Sequence, residues 1–181
     1  MKSIEFYKTP YGKIMCQPVG EAAREVTESD REMIQEMLQL ISERYPKAFE
    51  ALSCLYSKSQ RNRAYFEYQI VSRFIRCNFG SNDTLSHDID EGMMHLERVS
   101  CPLRKCCKNE NIVCNPKVHS PFFPKETEVA KIFAQGYVAS EVAQKLGKSL
   151  HTVTSQLRNM TKRLKLRSSR EIIKIVHKLN L

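Results

Sequence analysis

The sequence predicts a mainly α-helical protein in three parts. A small helical domain over 1–78, with a possible short β-hairpin, is followed by a cysteine-rich linker over 79–117 and a second helical domain over 118–181. Three observations carry this expectation. Apolar residues recur at helical spacing in several segments, four of the seven cysteines crowd into the 14 residues Cys101 to Cys114, and the excess positive charge lies in the last third. A chain of 181 residues has room for one good core plus a small domain, or for two small domains.

The chain opens with Ile4-Glu5-Phe6-Tyr7 and Lys13-Ile14-Met15-Cys16, separated by the turn formers Thr9-Pro10-Tyr11-Gly12. Two short apolar runs around such a turn predict a hairpin. Helical patterns then take over. Glu28 to Tyr45 places Met33, Ile34, Met37, Leu38 and Ile41 on one face, and Pro46 ends that helix or starts the next. Lys47 to Leu55 carries Phe49, Leu52 and Leu55, and Gln60 to Phe79 carries Tyr65, Phe66, Ile70, Phe74 and Ile75 at helical spacing. These aromatics read as core rather than as a stacking platform.

The linker has little apolar periodicity, but it holds Cys101, Cys106, Cys107 and Cys114, and Cys77 closes the helix before it. The opening Met1 to Phe6 lacks the apolar core of a secretory signal and no apolar run is long enough to span a membrane, so the expected location is the cytoplasm. Structural disulfides are not expected there. Thiolates favour zinc or iron–sulfur centres, and tetrahedral zinc needs four converging ligands. A bound ion would order a segment that has no core of its own. His87, His95 and His119 are available as substitute ligands, and reduced cysteines or a thiol–disulfide switch are the alternatives without metal.

Three short helical segments follow. Glu126 to Gln135 sets Val129, Ile132 and Phe133 on one face, with Gly136 at the stop. Ser140 is placed to cap a second helix that turns Val142, Ala143 and Leu146 inward. Gly147-Lys148-Ser149 is the length of a helix-turn-helix turn, and Ser149 caps a helix over 150–165 with an apolar stripe of Val153, Leu157, Met160 and Leu164. Thr154, Ser155, Arg158 and Lys162 fall on the opposite face, where hydroxyls and cations suit the major groove of DNA. The bland alternative is an amphipathic helix with a solvated face. Charge weighs against it: Lys117 to Leu181 holds 13 Lys and Arg against 4 Asp and Glu, a net of +9, while Met1 to Pro116 holds 16 of each. Neutralising phosphates is the ordinary use of that asymmetry.

Residues 122–179 resemble the LuxR-type (GerE-like) helix-turn-helix of bacterial transcription regulators. The resemblance rests on Phe122 to Val129, Gly136, Glu141-Val142-Ala143, Ser149 to Val153, Asn159 and Arg163-Leu164. It implies a four-helix domain in which Thr154, Ser155 and Arg158 face bases and Thr152 and Lys162 lie nearer phosphates, with Asn159 among the contact residues. It also implies double-stranded DNA as partner and a homodimer formed through a fourth helix, roughly Ser169 to Leu179. The chain departs from the pattern at Lys165, where the family usually has a small residue, at Thr154, where it has Lys or Arg, and at Lys125, where it has Arg. The cysteine segment is similar to a Cys-Pro-Leu-Arg-rich segment of bacterial regulators of this type. That similarity favours Cys107 over Cys106 and gives the set Cys77, Cys101, Cys107 and Cys114, spaced Cys-x23-Cys-x5-Cys-x6-Cys, with zinc expected first and an iron–sulfur cluster as the alternative.

Neither a phosphoacceptor receiver nor an autoinducer-binding domain is visible upstream. Ser140 to Leu164 also resembles region four of an extracytoplasmic-function sigma factor, which would bind core RNA polymerase, but the opening Phe-Phe-Pro-Lys-Glu favours the regulator. Against an enzyme, the nearest catalytic candidate is Asp88-Ile89-Asp90-Glu91 with His87, for which an acidic loop is the simpler explanation.

Overall fold

A computed structural model describes residues 3–80, 87–90, 92–179 and 181. The chain forms two compact units, Met1–His119 and Ser120–Leu181.

In the first unit, β1 (Ile4–Lys8) and β2 (Ile14–Pro18) form the expected hairpin, in antiparallel register from Ile4 opposite Pro18 to Lys8 opposite Ile14. Gly12 makes the turn possible: its φ of 79° lies in the left-handed region, and its N–H donates to the Thr9 carbonyl at 2.9 Å. The sequence reading stopped at that hairpin, whereas the structure builds an antiparallel sheet of five strands. β3 (Arg24–Glu25) pairs with β2, β4 (Ile89–Asp90) pairs with the outer side of β1, and β5 (Met93–Met94) pairs with β4, giving the order β3-β2-β1-β4-β5. Two-residue strands carry no usable alternation, so only pairing defines them.

Three helices follow the expected patterns: α1 (Arg31–Arg44), α2 (Pro46–Leu55) and α3 (Arg63–Asn78). Pro46 starts α2 at a position whose N–H would be unpaired anyway. Asn62 caps α3 by accepting the Tyr65 N–H at 3.2 Å. Ile34, Met37 and Ile41 of α1, Leu52 of α2 and Ile70, Phe74 and Ile75 of α3 are all fully buried with Phe6 and Ile14 of the sheet. Phe79 joins the layers, stacked on Phe6 at 5.7 Å and edge-on to Phe74 at 6.4 Å. Tyr65 does not join this core. It is 41% exposed and lies against Tyr68 instead.

The cysteine-bearing stretch, read as part of a linker, is counted with this unit rather than between the two, and Val113 sits in its core. Asn78 makes the attachment. Completely buried, it donates from Nδ2 to the Val113 carbonyl at 2.8 Å and to the Phe74 carbonyl at 3.0 Å, and its Oδ1 accepts the Asn115 N–H at 2.9 Å. Residues 81–86 of that expected linker, and Glu91 of the acidic stretch, lie outside the described residues. Asp88 and Asp90 are structural: Asp88 accepts the Phe6 N–H at 2.7 Å and Asp90 accepts the Ser3 hydroxyl at 2.5 Å, at the seam between β1 and β4.

The second unit contains α4 (Pro124–Ala134), α5 (Ala139–Leu146), α6 (Leu150–Arg163) and α7 (Arg170–Leu179). Val129, Ala130, Val142, Ala143, Val153, Leu157, Met160, Ile172 and Val176 form its core. α5 starts two residues earlier than the Ser140 cap predicts. Val138 occupies the cap position, and Glu141 reaches back to accept the Val138 N–H at 2.9 Å. Among the described residues, no helix is long and apolar enough to cross a membrane.

Candidate nucleic-acid interface and cysteine cavity

The turn between α5 and α6 follows from one residue. Gly147 adopts φ 61°, which lets the Lys148 N–H fold back onto the Ala143 carbonyl at 2.9 Å and close α5. Ser149 then opens α6: its hydroxyl accepts the Thr152 N–H at 3.0 Å and pairs with the Thr152 hydroxyl at 2.8 Å. Three buried residues, Val153, Leu157 and Met160, hold one side of α6 against the core.

The opposite side is free. Thr152, Thr154, Arg158, Asn159 and Lys162 are exposed, and Ser155 is half-buried at the edge of the face. Thr154 donates its hydroxyl to the Leu150 carbonyl at 2.8 Å, which spends the proton on its own helix and leaves the oxygen as an acceptor. Arg158 and Lys162 stand one turn apart on that face, and neither makes an ion pair with a described residue. The surface can therefore offer two cations and several short polar groups to a ligand that follows the helix.

Arg163 is not part of that surface. It pairs with the Glu126 carboxylate, donates to the Pro121 carbonyl at 2.7 Å and lies over the Phe123 ring at 4.4 Å. Glu126 in turn accepts the Phe123 N–H at 3.0 Å, so one carboxylate caps α4 and anchors the end of α6. The sequence reading missed this clamp. Its partners are 37 residues apart, and no local pattern announces it. Lys165, where the resemblance calls for a small residue, has φ 53°, a left-handed conformation that glycine would adopt without steric cost.

All four cysteines singled out as ligands line one cavity of the first unit, of about 250 Å³. Cys77 comes from the end of α3, and Cys101, Cys107 and Cys114 come from the turns that follow β5. Cys106 is exposed, its Sγ donates to the Leu103 carbonyl at 3.2 Å, and it is not among the lining residues. Left-handed backbone at Lys105, Asn111 and Asn115 bends the segment, and a Lys105 N–H to Glu110 carboxylate bond of 2.6 Å closes one turn. Lys8, Arg73, Arg76 and Arg104 line the cavity with one carboxylate, Glu110. Burial pushes the Cys77 thiol above its ordinary pKa; Arg73 opposes this, and Cys114, Cys101 and Cys107 add to it. The thiols surround the cavity without converging: among the described residues, no three metal-ligating side chains gather closely enough to hold one ion. His87, His95 and His119 do not line the cavity.

Comparison with known proteins agrees with the geometry of the second unit. The luxR family of bacterial regulatory proteins, GerE, matches residues 120–176. Residues 120–176 are a LuxR-family domain. Within it, the chain is similar to the transcriptional regulatory protein RcsB of Escherichia coli K12, Salmonella typhimurium LT2 and Shigella flexneri, at 42% identity over 41 residues in each case. The matched segment is 23% of this chain and 19% of those relatives. No solved structure matches the chain significantly. The LuxR-family match does not extend to the sheet, to α1–α3 or to the cysteine cavity.

Proposed function

We propose that this protein is a sequence-specific DNA-binding transcription regulator of the bacterial cytoplasm that inserts α6 into the major groove. The observation that carries this reading is the division of α6. Val153, Leu157 and Met160 are buried, while Thr152, Thr154, Arg158, Asn159 and Lys162 are exposed on a helix that follows a tight turn. The LuxR-family match over the same residues supports it, as does the net charge of +9 that the chain carries. Thr154, Ser155 and Arg158 read base edges; Thr152 and Lys162 contact phosphates; Asn159 lies between the two groups. Two copies associate through α7, whose Ile172 and Val176 face the core while Ile173 is half-buried outside it.

Paired substitutions test the division of labour. Arg158→Ala is expected to weaken binding to a specific site by about 1–3 kcal/mol, some 5- to 150-fold, with little change on random DNA. Lys162→Ala is expected to weaken binding to all sequences alike and to reduce the slope of log K against log salt by about 0.9. Equal losses on specific and random DNA for Arg158→Ala would make it a phosphate contact. An unchanged salt slope for Lys162→Ala would remove that residue from the interface.

A further inference from the structure

We propose that Cys77, Cys101, Cys107 and Cys114 bind a [4Fe–4S] cluster in the cavity they surround. This site is separate from the DNA-binding reading and stands or falls without it. Two ligand chemistries suit four thiolates, and the room between the side chains separates them. A single zinc ion at about 2.3 Å from each sulfur would draw the four sulfurs to roughly 3.8 Å from one another, leaving no room between them. Here the cysteines stand around a cavity of about 250 Å³, and among the described residues no three ligating groups gather about one point. A cubane needs that arrangement: its thiolates bind the corners of a body with its own volume, and Cys₄ is the usual ligand set.

The surroundings fit as well. The cluster with its four thiolates carries net negative charge, and Lys8, Arg73, Arg76 and Arg104 line the cavity against one carboxylate, Glu110, which faces Arg104 at 4.0 Å. Arg73 and Arg76 make no ion pair with a described residue. Val99, Pro102, Leu103 and Val113 give the rest of the wall an apolar surface of the kind that shields a cluster from water. Asn78 holds the backbone on both sides of Cys114, so the ligand from the turns is fixed relative to the ligand on α3. Binding releases the thiol protons and orders a segment with no regular secondary structure.

The test is metal and sulfide analysis of the full chain purified without oxygen. About four iron and four sulfide per chain with a brown colour is the expected result. It should persist in Cys106→Ser and Cys54→Ser and be lost in Cys77→Ser or Cys107→Ser. If those two variants aggregate, the apo-protein is reconstituted with equal ferrous and ferric iron and sulfide in the presence of zinc, and cluster formation is again expected. One colourless zinc per chain, no metal with failed reconstitution, or loss of iron in Cys106→Ser would each overturn the assignment.

Discussion

Asn78→Ala is expected to destabilise the Met1–His119 unit by about 1–3 kcal/mol, chiefly the desolvation cost of the buried one of two main-chain groups that lose this partner, since the other belongs to the exposed Asn115. Those groups are the Val113 carbonyl and the Asn115 N–H, which the completely buried Asn78 side chain now satisfies at 2.8 and 2.9 Å. The third bond, to the Phe74 carbonyl, is of less consequence because that carbonyl lies inside α3. Cys114 sits between the two freed groups, so the variant should also loosen the cysteine cavity. Urea unfolding followed through the tyrosines, all of which lie in the first unit except Tyr137, measures the loss. A change below about 0.5 kcal/mol would mean that Asn78 is no more than a surface-like substitution site.

Met160→Ala is expected to cost the second unit about 2–5 kcal/mol, the range for truncating a buried methionine and leaving a cavity. Met160 is fully buried and lies on the same side of α6 as Val153 and Leu157. Its loss should lower affinity for specific and random DNA together, because the whole recognition surface depends on how α6 is seated. Arg158→Ala provides the contrast, since its exposed side chain can be removed with the fold intact. Thermal unfolding of both variants beside their binding curves separates the two effects. Full stability in Met160→Ala would show that α6 is not held by its apolar stripe.

What the sequence made legible, and what it hid, follows from the range of the interactions involved. The helices came from periodicity, which reports a residue's own helix and its buried side. α1, α2, α3 and α6 therefore lie close to where their apolar stripes placed them. Ser149 was readable as a cap because capping is a contact across three residues. β4 and β5 were not readable, because two-residue strands exist only through pairing: β4 pairs with β1, where Ile4 stands opposite Ile89, and β5 pairs only with β4. The Arg163–Glu126 clamp and the Asn78 bridge, with separations of 37 and 35 residues, were hidden for the same reason. Tyr65 was misplaced because a helical stripe has edges, and an aromatic residue at the edge can face solvent beside Tyr68.

The cysteines are the opposite case. Composition and spacing nominated Cys77, Cys101, Cys114 and one of Cys106 and Cys107 without any view of the turns that shape the cavity. The preference for Cys107 over Cys106 was drawn from resemblance alone, and the structure gives each a distinct place, one lining the cavity and one exposed. Zinc was expected first because four thiolates are its common structural site. Only the placement of the four cysteines around one cavity, which spacing in a sequence does not contain, favours a cluster over a single ion.

The central claim, that α6 reads DNA sequence, is tested most directly by selecting bound duplexes from a random-sequence pool with the full chain at increasing salt. One recurrent motif is expected, its enrichment surviving as salt weakens general binding, with preference at one base position lost in Arg158→Ala. Retention of all sequences equally, or of none, would contradict it.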